Sequence, residues 1–475
     1  MTKLICSIFT VFVVFTYKSS AQQPYRMGMN FDDASYSVVK KKAKLTRSLE
    51  SLPESASIKQ FSPIPGNQGM YSTCTAWASA YCGRTIVDAV KNNWLDRTYI
   101  TEHAYSPAFL FRLLSPDDQS CKSGSYISMA FSIMKTKGLI PFSELSASCI
   151  PSVSNVQLAS AGNGRIKDFM RLFDVNAARD IKVQSVKKSI SEQKPVVFGM
   201  ICPPSFFNVK GVWNPVEEAD PKIGGHAMCV VGYDDKKEGG AFEIQNSWGT
   251  KWGNEGYIWI KYDDFARFTA YAYEFIDLPE AKPELADLSG SIRLVLADNN
   301  EMPVTLLTST RGLKVVPAKK TTDPLSVYQT ASNYSSGTRF RIYISNNEPA
   351  YVYAISTDLS NEVTKIFPYE DGISAALTDK RNDIAIPDED HFIEFDDKPG
   401  KDFLCVLYSR DELNINELVT KISSQQGSFS ERIFKVLGEK MVAPANTRFS
   451  KDKIAFEGFS KGKSIVPMMV EMDHK

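Results

Sequence analysis

Once its first residues are set aside, the sequence lacks any apolar run long enough to cross a membrane, and it lacks a charge bias. No later segment reaches about 18 uninterrupted apolar residues, which excludes a membrane-spanning helix in the mature chain. Lysine plus arginine and aspartate plus glutamate number 55 each, so no nucleic-acid or anionic-membrane partner is expected. The four histidines are isolated from one another, and this spacing predicts no metal. No cofactor is expected either.

The first 21 residues are typical of a secretory signal peptide. Lys3 precedes an apolar run from Leu4 to Phe15, and the small residues Ser19 and Ala21 follow. This order predicts cleavage near Ala21 and a secreted or periplasmic protein. An uncleaved membrane anchor is the alternative.

Cysteine is present in an odd number after that cleavage. Of eight cysteines, Cys6 lies in the signal segment, which leaves seven. In an exported chain the others can pair, and the leftover one is a candidate free thiol. The sequence does not set their connectivity.

The chain divides into stretches of different composition, since 475 residues are too many for one hydrophobic core. Residues 22–51 are polar, and we interpret them as a linker or a short pro-segment, with Lys40 to Lys42 as solvated linker. Residues 52–278 predict an α+β domain: a helix over 127–137 ended by Gly138, then short β-rich runs over 195–201, 227–233, 242–245 and 257–261. Residues 279–286 form a proline-spaced charged linker.

Residues 287–475 predict a mainly β, sandwich-like accessory domain. Apolar residues alternate with others over 292–296, 339–344 and 351–355, and residues 403–408 form the continuous apolar run of a central strand. One or two helices are expected near residues 411–440.

Cys74 is the first candidate for chemistry. It follows a glycine-containing loop and opens a run of good helix formers that ends near Ala80. A thiol at a helix N-terminus faces unpaired N–H groups and the positive end of the helix dipole, which favour the nucleophilic thiolate. For this residue taken alone, an ordinary buried cysteine is the alternative.

His226 and Asn246 supply the partners that such a nucleophile needs. His226 stands at the mouth of an apolar strand, and Asn246 follows the next strand 20 residues later. A cysteine nucleophile requires a base, and a third group must orient that base. A neutral asparagine suffices as the third group, because thiolate and imidazolium already form an ion pair.

Together these blocks resemble the active-site signatures of papain-like cysteine peptidases. Gln68 precedes Cys74 by the family's spacing of six residues, and the downstream blocks match at His226, at residues 246–249 (Asn-Ser-Trp-Gly) and at residues 252–257. The resemblance implies a two-lobed catalytic domain, helical around Cys74 and β-barrel-like around His226 and Asn246, with the substrate cleft between the lobes. It also implies that the Gln68 side chain and the Cys74 N–H bind the oxyanion, and that the Trp248 indole shields the Asn–His hydrogen bond.

A second stretch resembles the family's cleft-lining Cys-Asn-Gly-Gly. Residues 121–126 read Cys-Lys-Ser-Gly-Ser-Tyr. By this likeness, Gly124 offers backbone hydrogen bonds to an extended peptide and Tyr126 lies near a side-chain pocket; an ordinary turn is the alternative. We expect a Cys121–Cys149 disulfide. Cys82, Cys202, Cys229 and Cys405 are expected to be buried thiols, and neighbouring positions of Cys202 and Cys229 on adjacent strands are the alternative.

The sequence also departs from the family pattern. The usual Cys-Gly-Ser-Cys-Trp reads Tyr-Ser-Thr-Cys-Thr at residues 71–75, so the upstream cysteine and its disulfide are absent. Only residues 22–51 separate the signal from the domain, so neither a long inhibitory propeptide nor latency through a pro-domain is expected.

The resemblance implies a secreted cysteine peptidase that hydrolyses polypeptides through an acyl-enzyme intermediate. Two other classes stay open: an acyltransferase or transglutaminase-like enzyme with the same site, and a non-catalytic peptide-binding protein on a peptidase scaffold. The C-terminal domain resembles a β-rich domain of unknown function that follows peptidase domains in some bacterial exported proteins. Aromatic residues there suggest protein docking, but packing of a sheet face is the favoured interpretation of Tyr351 and Tyr353.

Overall fold

The computed structural model describes residues 25–44, 52–277, 285–307, 325, 327–358, 360, 362–379 and 382–475. The expected signal peptide and most of the expected linker over 279–286 lie outside these residues. None of the helices in the described ranges is long and apolar enough to span a lipid bilayer. We refer below to the N-terminal segment (residues 25–44), the first domain (52–277) and the C-terminal domain (285–475).

The first domain begins with helices. Cys74–Ala76, Trp77–Arg84 and Thr85–Lys91 form one continuous helix whose middle part has π-type hydrogen bonding. The others are Arg97–Glu102, Pro107–Leu114, Ile127–Thr136, Asn155–Ser160, Arg179–Ser191 and Tyr262–Phe268. The expected helix over 127–137 is confirmed, and Gly138, with φ of +86°, ends it.

One mixed sheet forms the other lobe of the first domain. In order across the sheet, its strands are Asp168–Arg171, Thr269–Ile276, Val196–Ile201, Gly225–Asp234, Ala241–Gln245, Tyr257–Lys261 and Val212–Trp213, with Ser55–Ser57 also paired to Gly225–Asp234. The four strands expected from the β-rich runs are all present. Asp168–Arg171 lies at the edge of the sheet.

The C-terminal domain is built from two sheets around an apolar core. One contains Val304–Leu307, Val327–Thr330, Ile465–His474, Gly400–Ser409, Ala350–Thr357 and Val363–Phe367, with Ala376–Leu377 paired to Ala350–Thr357. The other contains Asn382–Ile386, Arg339–Asn346, Leu288–Leu296, Ile454–Gly458 and Thr447–Phe449, with Ile393–Glu394 paired to Arg339–Asn346. Helices Ile415–Ser423 and Phe429–Leu437 complete the domain, as expected.

The two domains pack against each other through apolar side chains. Met170 and Ile276 of the first domain are buried in one cluster with Tyr351 and Tyr353 of the C-terminal domain. Each tyrosine is only 2% exposed. They therefore pack a sheet face and are not available as exposed docking aromatics.

The N-terminal segment crosses both domains. Its extended part, residues 25–31, lies between the two lobes of the first domain. The short helix Asp33–Ser37 follows, and its buried Tyr36 donates a hydrogen bond of 2.7 Å to the Phe173 carbonyl. The segment then runs to the C-terminal domain, where Ala43 joins the apolar core. The interpretation of Lys40 to Lys42 as solvated linker is wrong for Lys42, whose ammonium group is buried among carboxylates.

Candidate active site

Cys74 is the first residue of the long helix, as the run of helix formers predicts. The N-cap residue Thr73 makes no capping hydrogen bond with its side chain, so the first-turn N–H groups near the thiol have no side-chain cap. The start of the helix packs against the strand Gly225–Asp234, which carries His226. Cys74 itself has no exposed surface.

His226 and Asn246 are hydrogen bonded to each other in a buried setting. The Asn246 Oδ1 lies 2.7 Å from His226 Nε2, and it also accepts the backbone N–H of Ser247 at 2.7 Å. Because a backbone N–H can only donate, the Asn246 atom between these groups is the oxygen, so His226 Nε2 carries a proton. In the neutral ring, Nδ1 is then the lone-pair nitrogen that can accept a proton from a thiol.

Trp248 covers this pair. Its indole stacks on the His226 ring with centroids 4.6 Å apart, and it is 1% exposed. Phe207 and Tyr25 also stack on the indole, at 5.2 Å and 4.8 Å. The Asn246–His226 hydrogen bond is therefore shielded from water.

Gln68 is held by the residues around Asn246. Its Oε1 accepts a hydrogen bond of 2.7 Å from the Ser247 hydroxyl, and its backbone N–H donates to the Ser247 carbonyl at 2.8 Å. Its Nε2 donates to the carbonyls of Tyr71, at 2.7 Å, and Arg26, at 2.9 Å. One donor of the expected oxyanion site thus already binds a peptide carbonyl, which belongs to the N-terminal segment.

The segment binds between the lobes as an extended peptide. The Met29 N–H donates to the Gly225 carbonyl at 3.1 Å, and the Asn30 N–H donates to the Ser125 carbonyl at 2.9 Å. The Ser125 N–H in turn donates to the Gly28 carbonyl at 2.8 Å. The pairing is antiparallel at Gly225 and parallel at Ser125. Both walls of the cleft therefore hold residues 28–30 by backbone hydrogen bonds.

The Met29 side chain fills an apolar pocket in the sheet lobe. It is 3% exposed, and a Cβ added at Gly199 would lie 2.1 Å from its sulfur. A Cβ added at Gly225 would lie 2.4 Å from its terminal methyl group, and Ile127 also contacts this space. The pocket exists because Gly199 and Gly225 have no side chains.

We call the form in which the N-terminal segment lies in the cleft the covered form. In it, burial sets the protonation of Cys74 and His226. Desolvation raises the pKa of the Cys74 thiol to about 11, and the N–H groups of Ala227 and Gly28 oppose that rise. Desolvation likewise lowers the pKa of His226 to about 4, against the opposing effect of the hydrogen bond that its Nε2–H donates to Asn246 Oδ1. Both groups are therefore neutral at pH 7, and the expected thiolate–imidazolium pair is not the favoured form while the segment covers the cleft.

Thiol and imidazole are also not hydrogen bonded to each other in this form. Within the described residues, His226 Nδ1 has no hydrogen-bond partner. Catalytic hydrogen bonds are often long before substrate binds, and they tighten in the reacting complex.

The residues expected to bind substrate have unequal roles. Gly124 is buried with φ of +72°, and a Cβ added there would lie 2.8 Å from the Gly28 carbonyl oxygen. Ser125, which the motif reasoning missed, makes the backbone hydrogen bonds that were expected of Gly124. Tyr126 is half-buried and precedes the helix Ile127–Thr136.

The cysteine expectations have different outcomes. Cys121 and Cys149 form the expected disulfide. Cys82, Cys202, Cys229 and Cys405 are buried free thiols, as expected. The alternative that Cys202 neighbours Cys229 is wrong, because Val197 pairs with Cys229 and Cys202 follows the end of that strand. The Cys229 thiol instead lies beside that of Cys82. In the described part of the chain, no three His, Cys, Asp or Glu side chains converge as metal ligands would.

Ser247 and the N-terminal segment are the main parts of the candidate site that the sequence motifs did not indicate. Ser247 stands inside the Asn-Ser-Trp-Gly block, so its position was visible, although its hydrogen bond to Gln68 was not. Residues 25–31 carry no periodic or motif signal.

Comparison with known proteins finds a family match over part of the chain. Residues 112–272 match the family model described as papain family cysteine protease. Over these residues the chain is similar to papain-family cysteine proteases. The match includes His226, Asn246 and Trp248 and begins after Gln68 and Cys74. Residues 333–412 match a model described as Domain of unknown function (DUF4384).

Individual relatives of the first domain are distant. An uncharacterized peptidase C1-like protein of Acanthamoeba polyphaga mimivirus is 32% identical over 94 residues, which span 19% of this chain and 30% of that protein. Cysteine proteinase 3 of Entamoeba histolytica is 23% identical over 235 residues, 48% of this chain and 69% of that protein. The crystal structure of xylellain, a cysteine protease from Xylella fastidiosa, is 21% identical with a TM-score of 0.44, and the match covers 53% of this chain and 96% of that one.

Proposed function

We propose that the protein is a secreted cysteine peptidase that hydrolyses polypeptides, and that the covered form is its latent state. The observation that carries this proposal is the extended peptide bound beside Cys74. Residues 28–30 use backbone hydrogen bonds from both lobes, and the Arg26 carbonyl accepts a hydrogen bond from Gln68. A cleft that binds one peptide through its backbone can bind others, because every peptide offers the same groups.

The reaction follows from the chemistry of the three side chains. After the segment leaves, the Cys74 thiol gives its proton to His226 Nδ1, and the sulfur attacks the substrate carbonyl carbon. Gln68 Nε2 and the Cys74 N–H stabilise the oxyanion. The C–N bond then breaks, and His226 protonates the leaving amine. Water, deprotonated by the same ring, hydrolyses the thioester and restores the thiol.

Residues 25–44 act in this proposal as a short pro-segment. They cover Cys74, occupy a Gln68 donor and fill the pocket around Met29, so no substrate can bind until they move. The resemblance of residues 1–21 to a secretory signal peptide supports export.

The test uses a chain in which the cleft has been opened by Met29→Glu. An epoxide-type thiol-peptidase probe, followed by mass-spectrometric mapping, should label Cys74 in this variant, and an unfolded protein substrate should be cleaved. The double variant Met29→Glu with Cys74→Ala should show neither result while remaining folded by circular dichroism. Undiminished hydrolysis by the double variant would reject the mechanism.

A further inference from the structure

The structure assigns a function to the C-terminal domain: it holds the pro-segment in the cleft by binding residues 40–43, which we call the strap. This inference rests on the proposed function in one respect, since it assumes that residues 25–31 must leave before substrate binds. The C-terminal domain would then be an internal clamp for the latent form, with residues 40–43 as its ligand.

The backbone of the strap is hydrogen bonded on both edges. On one side, the Lys41 N–H donates to the Gly372 carbonyl at 2.7 Å and the Ser374 N–H donates to the Lys41 carbonyl at 2.8 Å. On the other side, the Lys42 N–H donates to the Arg171 carbonyl at 2.8 Å, and the Arg171 N–H donates to the Lys40 carbonyl at 3.0 Å. Arg171 ends the edge strand of the first domain. The strap therefore joins an otherwise open sheet edge to the C-terminal domain.

A buried group of charges fixes the strap at Lys42. The Lys42 Nζ lies 2.9 Å from Glu274 of the first domain and 3.1 Å from Asp379 of the C-terminal domain. Lys194 pairs with both carboxylates, and Thr378 donates to Glu274 at 2.9 Å. Two ammonium groups thus balance two carboxylates.

The charge balance of these four side chains depends on Lys42 of the strap. Desolvation works against charge on Lys42, but Asp379 and Glu274 overcome it and raise the pKa of Lys42. Desolvation is also the largest influence on Asp379, and the two lysines overcome it and lower the pKa of that carboxyl. Without Lys42, two buried carboxylates would face one lysine, and a buried charge without a partner is strongly destabilising.

The third attachment is apolar. Ala43 is 5% exposed and belongs to the core of the C-terminal domain, together with residues such as Ile373 and Leu377. The described hydrogen bonds of residues 25–37, in contrast, go to the first domain or remain within the segment. The strap is therefore the part of the segment through which the C-terminal domain acts. By anchoring residues 40–43, it raises the effective concentration of residues 25–31 at the cleft.

Hydrogen exchange of the full chain, followed by mass spectrometry, tests the clamp without requiring activity. All variants carry Cys74→Ala, so no self-cleavage can occur. Lys42→Met should make the amides of residues 27–31 exchange roughly fivefold faster or more, because the anchored end is lost. Lys41→Met is the matched control: Lys41 pairs at 2.7 Å with the half-exposed Asp174 of the first domain, and its change should leave that exchange within about twofold of the parent.

Two further measurements keep the test decisive. Should Lys42→Met not fold, Ala43→Glu places a charge at the edge of the C-terminal core and should likewise speed exchange at residues 27–31. In the Cys74→Ala parent, mild denaturant should speed the exchange of the amides of residues 27–31 at the same concentrations at which it speeds exchange at residues 41–43 and at Ser374. The proposal would be overturned if the amides of residues 27–31 and those of the strap exchanged independently of each other. It would also be overturned if exchange at residues 27–31 were unaltered in a strap variant that folds. Failure of the proposed peptidase activity would leave these results unaffected.

Discussion

The Gln68 side-chain amide donates a hydrogen bond of 2.9 Å to the carbonyl of Arg26, which lies 42 residues earlier in the chain. The same Gln68 is tied to Ser247 by its Oε1 and by its backbone N–H. A glutamine whose side chain is fixed in this way presents its donor without further reorganisation. In the covered form, the Gln68 N–H therefore binds a peptide carbonyl of its own chain. In the proposed reaction, the same N–H binds the oxyanion that develops on the substrate.

Gln68→Ala should lower kcat of the opened chain (Met29→Glu background) by about 10²–10³-fold, with a much smaller change in KM. The reason is that the donor is stronger toward a charged oxyanion than toward a neutral carbonyl. Steady-state kinetics on a peptide substrate measures both constants. Gln119→Ala, outside the site, should leave both unchanged. A fall in kcat of less than about threefold in Gln68→Ala would remove this residue from the oxyanion site.

Met29→Glu should expose the Cys74 thiol. A carboxylate in the pocket formed by Gly199, Gly225 and Ile127 would be desolvated without a partner, which disfavours the covered form. Alkylation of Cys74 by iodoacetamide, followed by mass spectrometry, should be at least about tenfold faster than in the wild type. Val38→Glu is the matched control, because Val38 belongs to the same segment and is 80% exposed. Equal alkylation rates in the two variants would contradict a cover held in place by Met29.

Mild acid should weaken the binding of residues 25–31 in the cleft. Burial lowers the pKa of His226 from 6.5 to about 4, so the covered form holds this ring neutral. A ring whose pKa is lowered in the covered form favours the uncovered form as the pH falls from 6.5 to 4, by at most ~3 kcal/mol over the whole window when the uncovered ring titrates at 6.5. In a Cys74→Ala chain, the exchange protection of residues 27–31, corrected for intrinsic rates, should fall about tenfold between pH 7 and pH 5.

A companion variant separates His226 from other acid effects. His226→Gln has no titrating ring, so its protection should depend little on pH over the same range. The carboxylates around Lys42 have lowered pKa values and lose their charge only at lower pH. An equal fall of protection in His226→Gln would assign the acid effect to another group.

The sequence predicted the parts of the molecule whose signal is local. The helix Ile127–Thr136 follows from apolar residues three and four apart and from Gly138 behind it. The strands follow from short β-rich runs between turn residues. His226 and Asn246 could be named because each stands in a motif at the end of a strand, and strands of one sheet bring such ends together.

The position of the N-terminal segment could not be predicted in this way. Its polar residues have no period, and its order comes from backbone hydrogen bonds and buried charges whose partners are far away. Lys42 meets Glu274 and Asp379, 232 and 337 residues later. From the sequence alone, a lysine whose carboxylate partner is hundreds of residues away cannot be distinguished from a lysine that is exposed to solvent. The raised pKa of Cys74 and the lowered pKa of His226 come from burial in the folded protein, so they also were not predictable.

Removal of the disulfide should weaken the first domain. Cys121 and Cys149 close a loop with a sequence separation of 28, for which loss of the cross-link costs about 3 kcal/mol of unfolding free energy. Urea unfolding of Cys121→Ser with Cys149→Ser measures this loss. A reducing agent should lower the stability of the wild type but not that of the double variant. Equal stability of the oxidised wild type and the double variant would contradict this role.

Gly124→Ala tests whether substrates use the same wall of the cleft as the pro-segment. Two features make the position sensitive: its φ of +72° is strained for any residue with a Cβ, and that Cβ would lie 2.8 Å from the Gly28 carbonyl oxygen. An extended substrate bonded to Ser125 would meet the same obstacle. In the opened chain, Gly124→Ala should therefore raise KM for a peptide substrate about tenfold and change kcat little, since the obstacle acts on binding as a whole.

Gly162→Ala is the matched control for that substitution, because a Cβ there would have no neighbour within 4 Å. It should leave both constants unchanged, while thermal melting of the two variants reports any general loss of stability. An unchanged KM in a folded Gly124→Ala variant would mean that substrates bind away from the Ser125 wall. The backbone pairing of Gly28 and Asn30 with Ser125 would then be a feature of the latent form alone, and the segment would not occupy the substrate's path.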